Sequence, residues 1–366
     1  MKKILYVVSN LRKSGPTTVL YNLIKNLDRD KFLPVIVTVI NETEKTRIDD
    51  FRKLNVEIFT LGLTHKNFLF ISKKKIKRLI TPYAPDIVHS HSLYADYLIA
   101  RIEKYVKHIS TIHSYVYEDY ISKHGILLGL FMSLLAMQAI KRTDRVICCS
   151  YSLRKKYEKK SSKNMYVIQN GFDFDMFDNR SNLTKQELHN ELKLHNDKMV
   201  FIMVGSLSKR KDPLTVIKAF LESKYSSNGL LVILGDGDLY TECLSYLNDN
   251  ILILGYMENV VEYYMAADVF VSASISEGLP NTVLEAGAFG LKMILSDIPE
   301  HKEIFGVIPQ NDDIKFFEVC NICDCKRCFS DIRDNETHSY VISQHIRENF
   351  SAKKMTVKYE ELYNSL

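Results

Sequence analysis

Residues 269–296 read VFVSASISEGLPNTVLEAGAFGLKMILS, and the order of structural signals in this stretch decides the fold. The run Val269–Ser272 is short and apolar, which is typical of a buried strand. Helix-forming residues follow at Thr282–Phe289, and a second apolar run lies at Lys292–Leu295. A strand, a helix and a second strand in so short a stretch predict a β-α-β unit with two parallel strands.

The same alternation continues in both directions, and 366 residues are enough for about two domains. In the C-terminal half, further strands are predicted at Met199–Val204, Leu230–Leu234 and Ile251–Leu254, with helices at Pro213–Leu221, Val260–Ala266 and Ser351–Tyr363. In the N-terminal half, strands are predicted at Ile4–Val8, Leu33–Ile40, Val56–Thr60, Ile87–His89, Ile109–Ile112 and Arg145–Cys149, with helices at Thr18–Leu27, Thr46–Leu54, Lys73–Ile80, Tyr94–Tyr105, Leu127–Arg142 and Ser152–Lys159. We therefore expect an α/β protein with two Rossmann-like, doubly wound domains.

The loop between the strand Val269–Ser272 and the helix Thr282–Phe289 suits an anionic ligand. Pro280 fits the first positions of a helix, and Asn281 can cap one. The amides of Gly278 and Leu279 would then lie near a helix N-terminus, where the positive partial charge favours a diphosphate.

Two glutamates, Glu277 and Glu285, flank the start of this helix in an E-x7-E pattern. Glu285 lies about one turn inside the helix, where its carboxylate can accept hydrogen bonds from a ribose diol. Glu277 precedes the helix and would point toward the group that the phosphate carries. The alternative interpretation is a helix cap with a surface carboxylate and no ligand.

A basic loop, Val204–Asp212, follows the first strand of the C-terminal half. Ligands of α/β sheets bind at the carboxyl ends of strands, and Gly205 allows a close backbone approach there. Lys209, Arg210 and Lys211 offer positive charge to a diphosphate, which an arginine can bind through two hydrogen bonds. The alternative is a basic loop that faces only water.

The sequence Leu234–Asp238 places a Gly-Asp-Gly turn after another strand. Gly235 and Gly237 allow the backbone to approach a ligand. Asp236 and Asp238 also form a D-x-D pattern, which can bind Mg²⁺ or Mn²⁺. We favour the turn over the metal site because the glycines dominate this strand exit.

Polar residues also end three strands of the N-terminal half. Ser14–Pro16 follows the first strand, His89 and His91 end a second, and His113 ends a third. A histidine at such a position can donate a hydrogen bond or act as a base. We favour a functional role for His113 and a structural one for His89 and His91.

The order of these motifs resembles that of the retaining family 4 of the GT-B glycosyltransferases, over nearly the whole chain. The matching pieces in the N-terminal half are Ser14–Gly15, Asp86–His91, Thr111–His113, Asp144–Ser150 and Ile168–Asp173. Those in the C-terminal half are Val204–Lys211, Gly235–Gly237, Glu277 with Glu285, and Tyr359–Tyr363.

The resemblance implies a GT-B fold with an interdomain cleft and a C-terminal helix that crosses back to the N-terminal domain. The implied domains are an N-terminal, acceptor-binding Rossmann-like domain at residues 1–170 and a nucleotide-sugar-binding domain at residues 171–345. The helix at residues 346–366 would pack on the N-terminal domain.

Site roles also follow from the resemblance. Glu285 would hold the donor ribose, Glu277 would contact the transferred sugar, and Lys211 would bind the diphosphate. His113 matches a histidine near the transferred sugar, and Gly15 matches a loop near the donor phosphates. The implied catalytic residues are His113, Glu277 and Lys211, and the implied donor-binding residues are Gly15, Gly205, Ser206, Arg210, Lys211, Gly235, Gly237, Gly278, Leu279, Pro280, Asn281 and Glu285.

Three positions depart from the family pattern. Ser206 stands where the family often has arginine, Asp212 where it has glycine, and Ser14 where it has the first glycine of a pair. Lys209 or Arg210 is the candidate to replace the missing arginine.

The implied reaction moves a sugar, with retention of configuration, from a nucleoside diphosphate sugar to a glycan acceptor. We favour a UDP-sugar as donor, a lipid-linked acceptor and a place in bacterial surface polysaccharide synthesis, without a metal or another cofactor. A nucleotide-sugar 2-epimerase and a non-catalytic sugar-nucleotide-binding protein are the alternatives. A nicotinamide dehydrogenase is disfavoured because no G-x-G-x-x-G follows the first strand.

Charge is unevenly distributed along the chain. Residues 1–165 contain 30 lysines and arginines against 14 aspartates and glutamates, a net charge of +16, whereas the rest carries −11. This asymmetry favours an anionic partner such as a membrane surface or a phosphate-bearing acceptor, and we expect no nucleic acid. The alternative is that the basic helices only face water. The apolar stretch Ile126–Ile140 is too short to cross a membrane, and it is either a surface that contacts one or a buried core helix. No signal peptide is visible. We expect a cytoplasmic protein that can rest on the inner face of the membrane.

Seven cysteines without a secretion signal indicate reduced thiols. Four of them form a C-x2-C-x-C-x2-C pattern that could hold Zn²⁺ or an iron–sulfur cluster, namely Cys320, Cys323, Cys325 and Cys328. No histidine pair supports this interpretation, and we disfavour a metal here.

Overall fold

The structure is a computed structural model that describes residues 1–64, 71, 73–102, 106–175, 183–195, 197–308, 312–332 and 338–366. The chain divides into two compact units. The first comprises Met1–Gly171 and Ala352–Leu366, and the second comprises Phe172–Ser351. Residues 103–105, at the end of the predicted helix Tyr94–Tyr105, lie outside the described residues.

The described part of the first unit contains a parallel sheet of seven strands in the order β3-β2-β1-β4-β5-β6-β7. Its strands are β1 (Lys2–Val8), β2 (Phe32–Ile40), β3 (Glu57–Leu63), β4 (Ile87–His91), β5 (Lys107–Ile112), β6 (Arg145–Cys148) and β7 (Met165–Val167). Its helices are α1 (Gly15–Asn26), α2 (Ile48–Lys53), α3 (Lys73–Ile80), α4 (Leu93–Ala100), α5 (Val116–His124), α6 (Ile126–Arg142) and α7 (Tyr151–Glu158).

The sheet of the first unit is buried on both faces. Along β1, Ile4 and Tyr6 pack in one core, while Leu5 and Val7 pack in another. Successive strand residues point to opposite faces, so a strand that is covered on both sides must be apolar throughout. This explains why a continuous apolar run, without alternation, correctly predicted β1.

The second unit contains, within its described residues, a parallel sheet of six strands in the order β10-β9-β8-β11-β12-β13. Its strands are β8 (Met199–Val204), β9 (Gly229–Leu234), β10 (Ile251–Ile253), β11 (Val269–Ser272), β12 (Lys292–Ser296) and β13 (Ile314–Phe317). Its helices are α8 (Lys185–Glu191), α9 (Pro213–Leu221), α10 (Tyr240–Leu244), α11 (Val260–Ala266), α12 (Asn281–Ala288), α13 (Pro299–Phe305), α14 (Ile322–Asp331) and α15 (Tyr340–Asn349). The α/β class and the two doubly wound sheets are therefore confirmed.

The C-terminal segment differs from the single helix expected at residues 346–366. It forms two helices, α15 and then α16 (Ala352–Asn364), and they belong to different units. α15 packs on α12, where Gly287 leaves so little room that a methyl group there would lie 2.8 Å from Cγ1 of Ile346. The returning segment therefore begins at Ala352 rather than at residue 346.

α16 completes the core of the first unit. It packs on α1, and its residues Met355, Tyr359 and Tyr363 lie in the same core as β1. The backbone amide of Asp28 donates to the carboxylate of Glu360 at 2.7 Å. The return of the C-terminal helix to the N-terminal unit, which the sequence led us to expect, is confirmed.

We predict that Tyr363→Ala lowers the free energy of unfolding by about 3–5 kcal/mol, the usual cost of removing a large buried ring. The Tyr363 ring is fully buried and lies edge-on to Phe32. Val357→Ala on the same helix is the matched control, because Val357 is half exposed and should change the free energy by less than about 0.5 kcal/mol. Urea unfolding checks both, and equal stability of the two variants would contradict the packing of α16.

Candidate functional site

The carboxylate of Glu277 is the centre of a polar cluster in the second unit. It follows β11 and is nearly buried, with 9% of its surface exposed. Its Oε1 atom lies 2.5 Å from Nζ of Lys211, and its Oε2 atom lies 2.8 Å from Nη1 of Arg210. The hydroxyl of Ser274 also donates to Oε1, at 2.7 Å. The structure thus joins the predicted basic loop to the first glutamate of the E-x7-E pair.

Electrostatics keep Glu277 ionised. Burial alone would raise the pKa of its carboxyl, but the charges of Lys211 and Arg210 hold that pKa well below its usual range. Two cations face one carboxylate, so these three side chains together carry one excess positive charge. The cluster is therefore suited to a second anion.

The basic loop is not merely a solvated segment. Arg210 donates to the carbonyl oxygen of Ser276 at 2.7 Å, and the amide of Ile275 donates to the carbonyl oxygen of Arg210 at 2.8 Å. Lys209, by contrast, is exposed. Ser206, which stands where the family pattern has arginine, is exposed. Of the two candidates to replace that arginine, Lys209 and Arg210, it is Arg210 that contacts Glu277.

The loop ends at Asp212, which stands where the family pattern has glycine. Its φ angle is 48°, in the left-handed region that favours glycine but that aspartate tolerates better than most residues. Its side chain compensates by capping α9, because it accepts hydrogen bonds from the hydroxyl of Thr215 at 2.6 Å and from the amide of Thr215 at 3.4 Å.

The start of α12 differs by one residue from the prediction. Asn281 is the first helical residue rather than the cap, and Pro280 occupies the cap position. Proline cannot cap through its side chain, and α12 has no capping hydrogen bond from a side chain at that position. Gly278 and Leu279 are buried just before the helix, as expected. The positive end of α12 therefore receives no capping hydrogen bond from the side chain at its cap position.

Glu285 is held by a residue that the sequence did not mark. The hydroxyl of Tyr264, a buried residue of α11, donates to Oε2 of Glu285 at 3.0 Å. The Tyr264 ring also stacks on Phe289, with centroids 5.7 Å apart. Burial and the nearby carboxylate raise the pKa of Tyr264 well above its usual value, so its proton stays in place to orient Glu285.

The two glycines of the Gly-Asp-Gly turn are required by loop packing. A methyl group at Gly235 would lie 1.7 Å from the carbonyl oxygen of Gly205, and one at Gly237 would lie 2.5 Å from that of Leu207. The amide of Leu207 donates to the carbonyl oxygen of Asp236 at 3.0 Å. The close backbone approach predicted here is made to the neighbouring loop, and a role in donor binding remains a prediction.

In the first unit, His91 and His113 lie side by side. Nδ1 of His91 is 3.0 Å from Nε2 of His113, and the two rings stack with centroids 5.3 Å apart. Both line a cavity of about 290 Å³, which Ser9, Pro16 and Ser92 also line. Gly15, at the start of α1, is exposed next to Pro16. The carboxyl ends of β1, β4 and β5 therefore meet at one cavity.

Ser92 is a further feature that the sequence did not mark. Its φ angle is 132°, a conformation that residues other than glycine rarely adopt. The hydroxyl of Ser9 donates to the hydroxyl of Ser92 at 2.8 Å and thereby links the ends of β1 and β4. Strained backbone of this kind clusters at functional sites, which agrees with the position of Ser92 in the cavity wall.

His89 has a structural role. It is fully buried, its Nδ1 atom lies 2.7 Å from the hydroxyl of Tyr363, and its Nε2 atom lies 2.8 Å from the hydroxyl of Thr111. Both ring nitrogens are therefore occupied by protein groups.

The cysteine-rich segment lies on and before α14. Cys325 and Cys328 are buried in the apolar core, whereas Cys320 and Cys323 are exposed. Among the described residues, no group of three or more histidine, cysteine, aspartate or glutamate side chains is arranged to hold a metal ion. The same part of the chain has no helix long and apolar enough to cross a membrane.

Two family models match this chain. The model "Glycosyltransferase Family 4" matches residues 13–176, and "Glycosyl transferases group 1" matches residues 184–307. The two matches cover the two units almost separately.

Individual proteins are similar over most or all of the chain. The O-antigen biosynthesis glycosyltransferase WclY of Escherichia coli is 25% identical over 375 aligned residues, which cover 100% of this chain and 98% of WclY. The UDP-Gal:alpha-D-GlcNAc-diphosphoundecaprenol alpha-1,3-galactosyltransferase of Escherichia coli is 30% identical over 282 residues, or 70% of each chain. The solved structure of HepE from Anabaena in complex with UDP-glucose has a TM-score of 0.81 at 15% identity and covers 100% of both chains. This likeness confirms the predicted GT-B fold.

We predict that lowering the pH reduces the free energy of unfolding of the native protein more than that of the Glu277→Gln variant. The pKa of Glu277 is lower in the folded state than in the unfolded chain, so its ionisation stabilises the fold above the unfolded pKa. That contribution is lost as the pH falls below the unfolded value, where the unfolded chain takes up a proton. Urea unfolding at pH 7 and pH 3.5 checks this, and equal losses of stability for both proteins would contradict it.

Proposed function

Because this chain belongs to glycosyltransferase family 4, we propose that it transfers a sugar from a nucleoside diphosphate sugar to a glycan acceptor, with retention of configuration. A UDP-sugar is the favoured donor. The names of the galactosyltransferase relative and of the HepE complex, which include UDP-Gal and UDP-glucose, support this choice.

The observation that carries the proposal is the cluster of Glu277 with Lys211 and Arg210. Departure of a nucleoside diphosphate needs positive charge next to the leaving oxygen. Lys211, Arg210 and the start of α12 would supply that charge, and we propose that no metal ion is needed. Glu277 would contact the transferred sugar, and Glu285, oriented by Tyr264, would accept hydrogen bonds from the ribose.

The proposed step breaks the bond between C1 of the sugar and the phosphate oxygen and forms a bond between C1 and the acceptor oxygen on the same face. The acceptor proton passes to the leaving phosphate oxygen, so that charge and atoms balance. The sugar gains oxocarbenium character in the transition state, which the ionised carboxylate of Glu277 would stabilise.

We expect Lys211→Ala and Glu277→Gln each to lower kcat by roughly 100- to 1,000-fold, the usual effect of removing one group that stabilises transition-state charge. The measurement is release of nucleoside diphosphate together with formation of the glycosylated acceptor. Matched controls are Lys326→Ala and Glu242→Gln in the same unit, where Lys326 is partly exposed and Glu242 is exposed. Near-normal turnover in either site variant would overturn the assignment.

The donor can be identified without an acceptor. A ligand that binds only the folded protein raises its melting temperature, so UDP, GDP, ADP and their common sugar conjugates can be compared directly. We expect UDP-sugars to give the largest shift and chelation of metals to leave that shift unchanged. A change of the sugar itself in the absence of acceptor would point to an epimerase and overturn the transfer reaction.

We also propose a lipid-linked acceptor in bacterial surface polysaccharide synthesis, which the name of the WclY relative supports, and an anionic membrane surface as partner. The N-terminal half of α6 exposes Leu127 (88%), Phe131 (47%) and Leu134 (56%), while Ala136 and Ile140 in its C-terminal half are buried. Such an apolar stripe on a unit that is strongly basic suits the interface of an anionic bilayer.

We expect the protein to sediment with vesicles that contain phosphatidylglycerol and not with vesicles of phosphatidylcholine alone. Leu127→Ser combined with Phe131→Ser should weaken that binding at least about tenfold, because each apolar side chain gains about 1.5–3 kcal/mol on burial. Val307→Ser combined with Tyr340→Ser is the control, since both residues are equally exposed in the second unit. Unchanged binding of the α6 variant would contradict this membrane contact.

A further inference from the structure

The hydrogen bond between His91 and His113 places a constraint on where both rings carry their protons. Burial, together with the neighbouring His89 and His113, holds the pKa of His91 well below its usual value, and burial lowers the pKa of His113 to about 4. At neutral pH both rings are neutral, and each carries a single N–H. One ring must therefore donate across the 3.0 Å contact, and the other must accept.

The second ring nitrogen of His91, Nε2, decides which of the two rings donates the hydrogen bond. Nε2 of His91 is buried and has no hydrogen-bond partner among the described residues. If His113 donated, this Nε2 would carry a proton and be an orphaned buried donor, which is rarer in proteins than an under-satisfied acceptor. If His91 donates from Nδ1, its Nε2 holds only a lone pair.

The ring of His91 is held in this orientation by buried groups packed against it. It lies 4.2 Å, centroid to centroid, from the ring of His89. His89 is itself fixed by the hydroxyls of Tyr363 and Thr111, and the Thr111 hydroxyl lies 3.0 Å from that of Tyr359. The helix α16 thus contacts, through Tyr363 directly and through Tyr359 by way of Thr111, the ring that packs against His91.

We propose that His91 is a positioning residue that donates its Nδ1–H to Nε2 of His113, so that His113 presents Nδ1–H to the cavity as a hydrogen-bond donor. The group that binds there would be an oxygen with a free lone pair, such as a sugar hydroxyl. Only the identification of that oxygen with a sugar rests on the proposed transferase function. His113 would then bind and orient its ligand rather than act as a base through Nε2.

The test is a two-bond proton–nitrogen correlation spectrum of the full chain labelled with nitrogen-15 histidine, which distinguishes protonated from bare ring nitrogens. His113→Gln identifies the His113 signals. We expect Nδ1 of His113 to be protonated and Nε2 to be bare in the native protein. A protonated Nε2 of His113 overturns the proposal, whatever the variants do.

Two substitutions of His91 separate positioning from packing. His91→Leu removes the donor at similar volume, and we expect the His113 proton to redistribute to Nε2. His91→Asn offers an amide N–H close to the position of Nδ1 and should restore the native pattern. An unchanged His113 spectrum in His91→Leu overturns the proposal, and His108→Asn, another buried histidine of the same sheet, should leave His113 unaffected.

Activity gives the second readout. We expect His91→Leu to lower kcat/KM roughly tenfold, the effect of one lost hydrogen bond, and His91→Asn to recover most of it. If the native protein transfers no sugar from any donor, the proposed function fails, while the spectrum still decides the proton position. If His91→Leu does not fold, the native spectrum and that of His91→Asn remain decisive.

Discussion

The ion pairs of Glu277 with Lys211 and Arg210 are the constraint on which the second unit's site depends. An ionised carboxylate this deeply buried costs several kcal/mol unless cations lie within contact distance. The two cations come from the loop after β8 and the carboxylate from the loop after β11, and these strands are neighbours in the sheet. These two strands are adjacent in the sheet but not consecutive in the chain, because β9 and β10 lie on the other side of β8. The cluster therefore lies at a crossover of the sheet, the kind of position where α/β proteins bind ligands.

The first unit repeats this arrangement with different chemistry. β1 lies between β2 and β4, so the chain order also jumps at the contact of β1 with β4. Ser9 follows β1 and His91 ends β4, and both line the cavity beside His113. The second unit thus places an ion-pair cluster at its crossover, whereas hydroxyl and imidazole groups lie at the crossover of the first unit.

The sequence predicted the strands that are buried on both faces, because a continuous apolar run leaves little ambiguity. β8 and β11 lie at the predicted residues, whereas β13, a short strand with mostly half-buried side chains, was missed. The contacts of Tyr264 with Glu285 and of Ser274 with Glu277 were missed as well. A tyrosine 21 positions before its partner lies in an ordinary helical pattern, and only the packing of α11 beside α12 reveals its role. Gly235 and Gly237 were expected to let the backbone approach a ligand, whereas the close approach that the structure shows is to a neighbouring loop.

The three histidines at the strand ends show most directly why residue type alone does not assign a role. His89 and His91 lie in β4, His113 directly follows β5, and burial lowers the pKa of each. They differ in how their two ring nitrogens are used. His89 has both nitrogens bound to protein hydroxyls, and therefore has nothing left for a ligand. His113 shares one nitrogen with His91, and its other nitrogen has no hydrogen-bond partner within the described part of the chain. Since a neutral imidazole offers one donor and one acceptor, the partner of the first nitrogen determines what the second can offer. The chemistry of His113 is in this way set by His91, a residue for which the sequence favoured only a structural role.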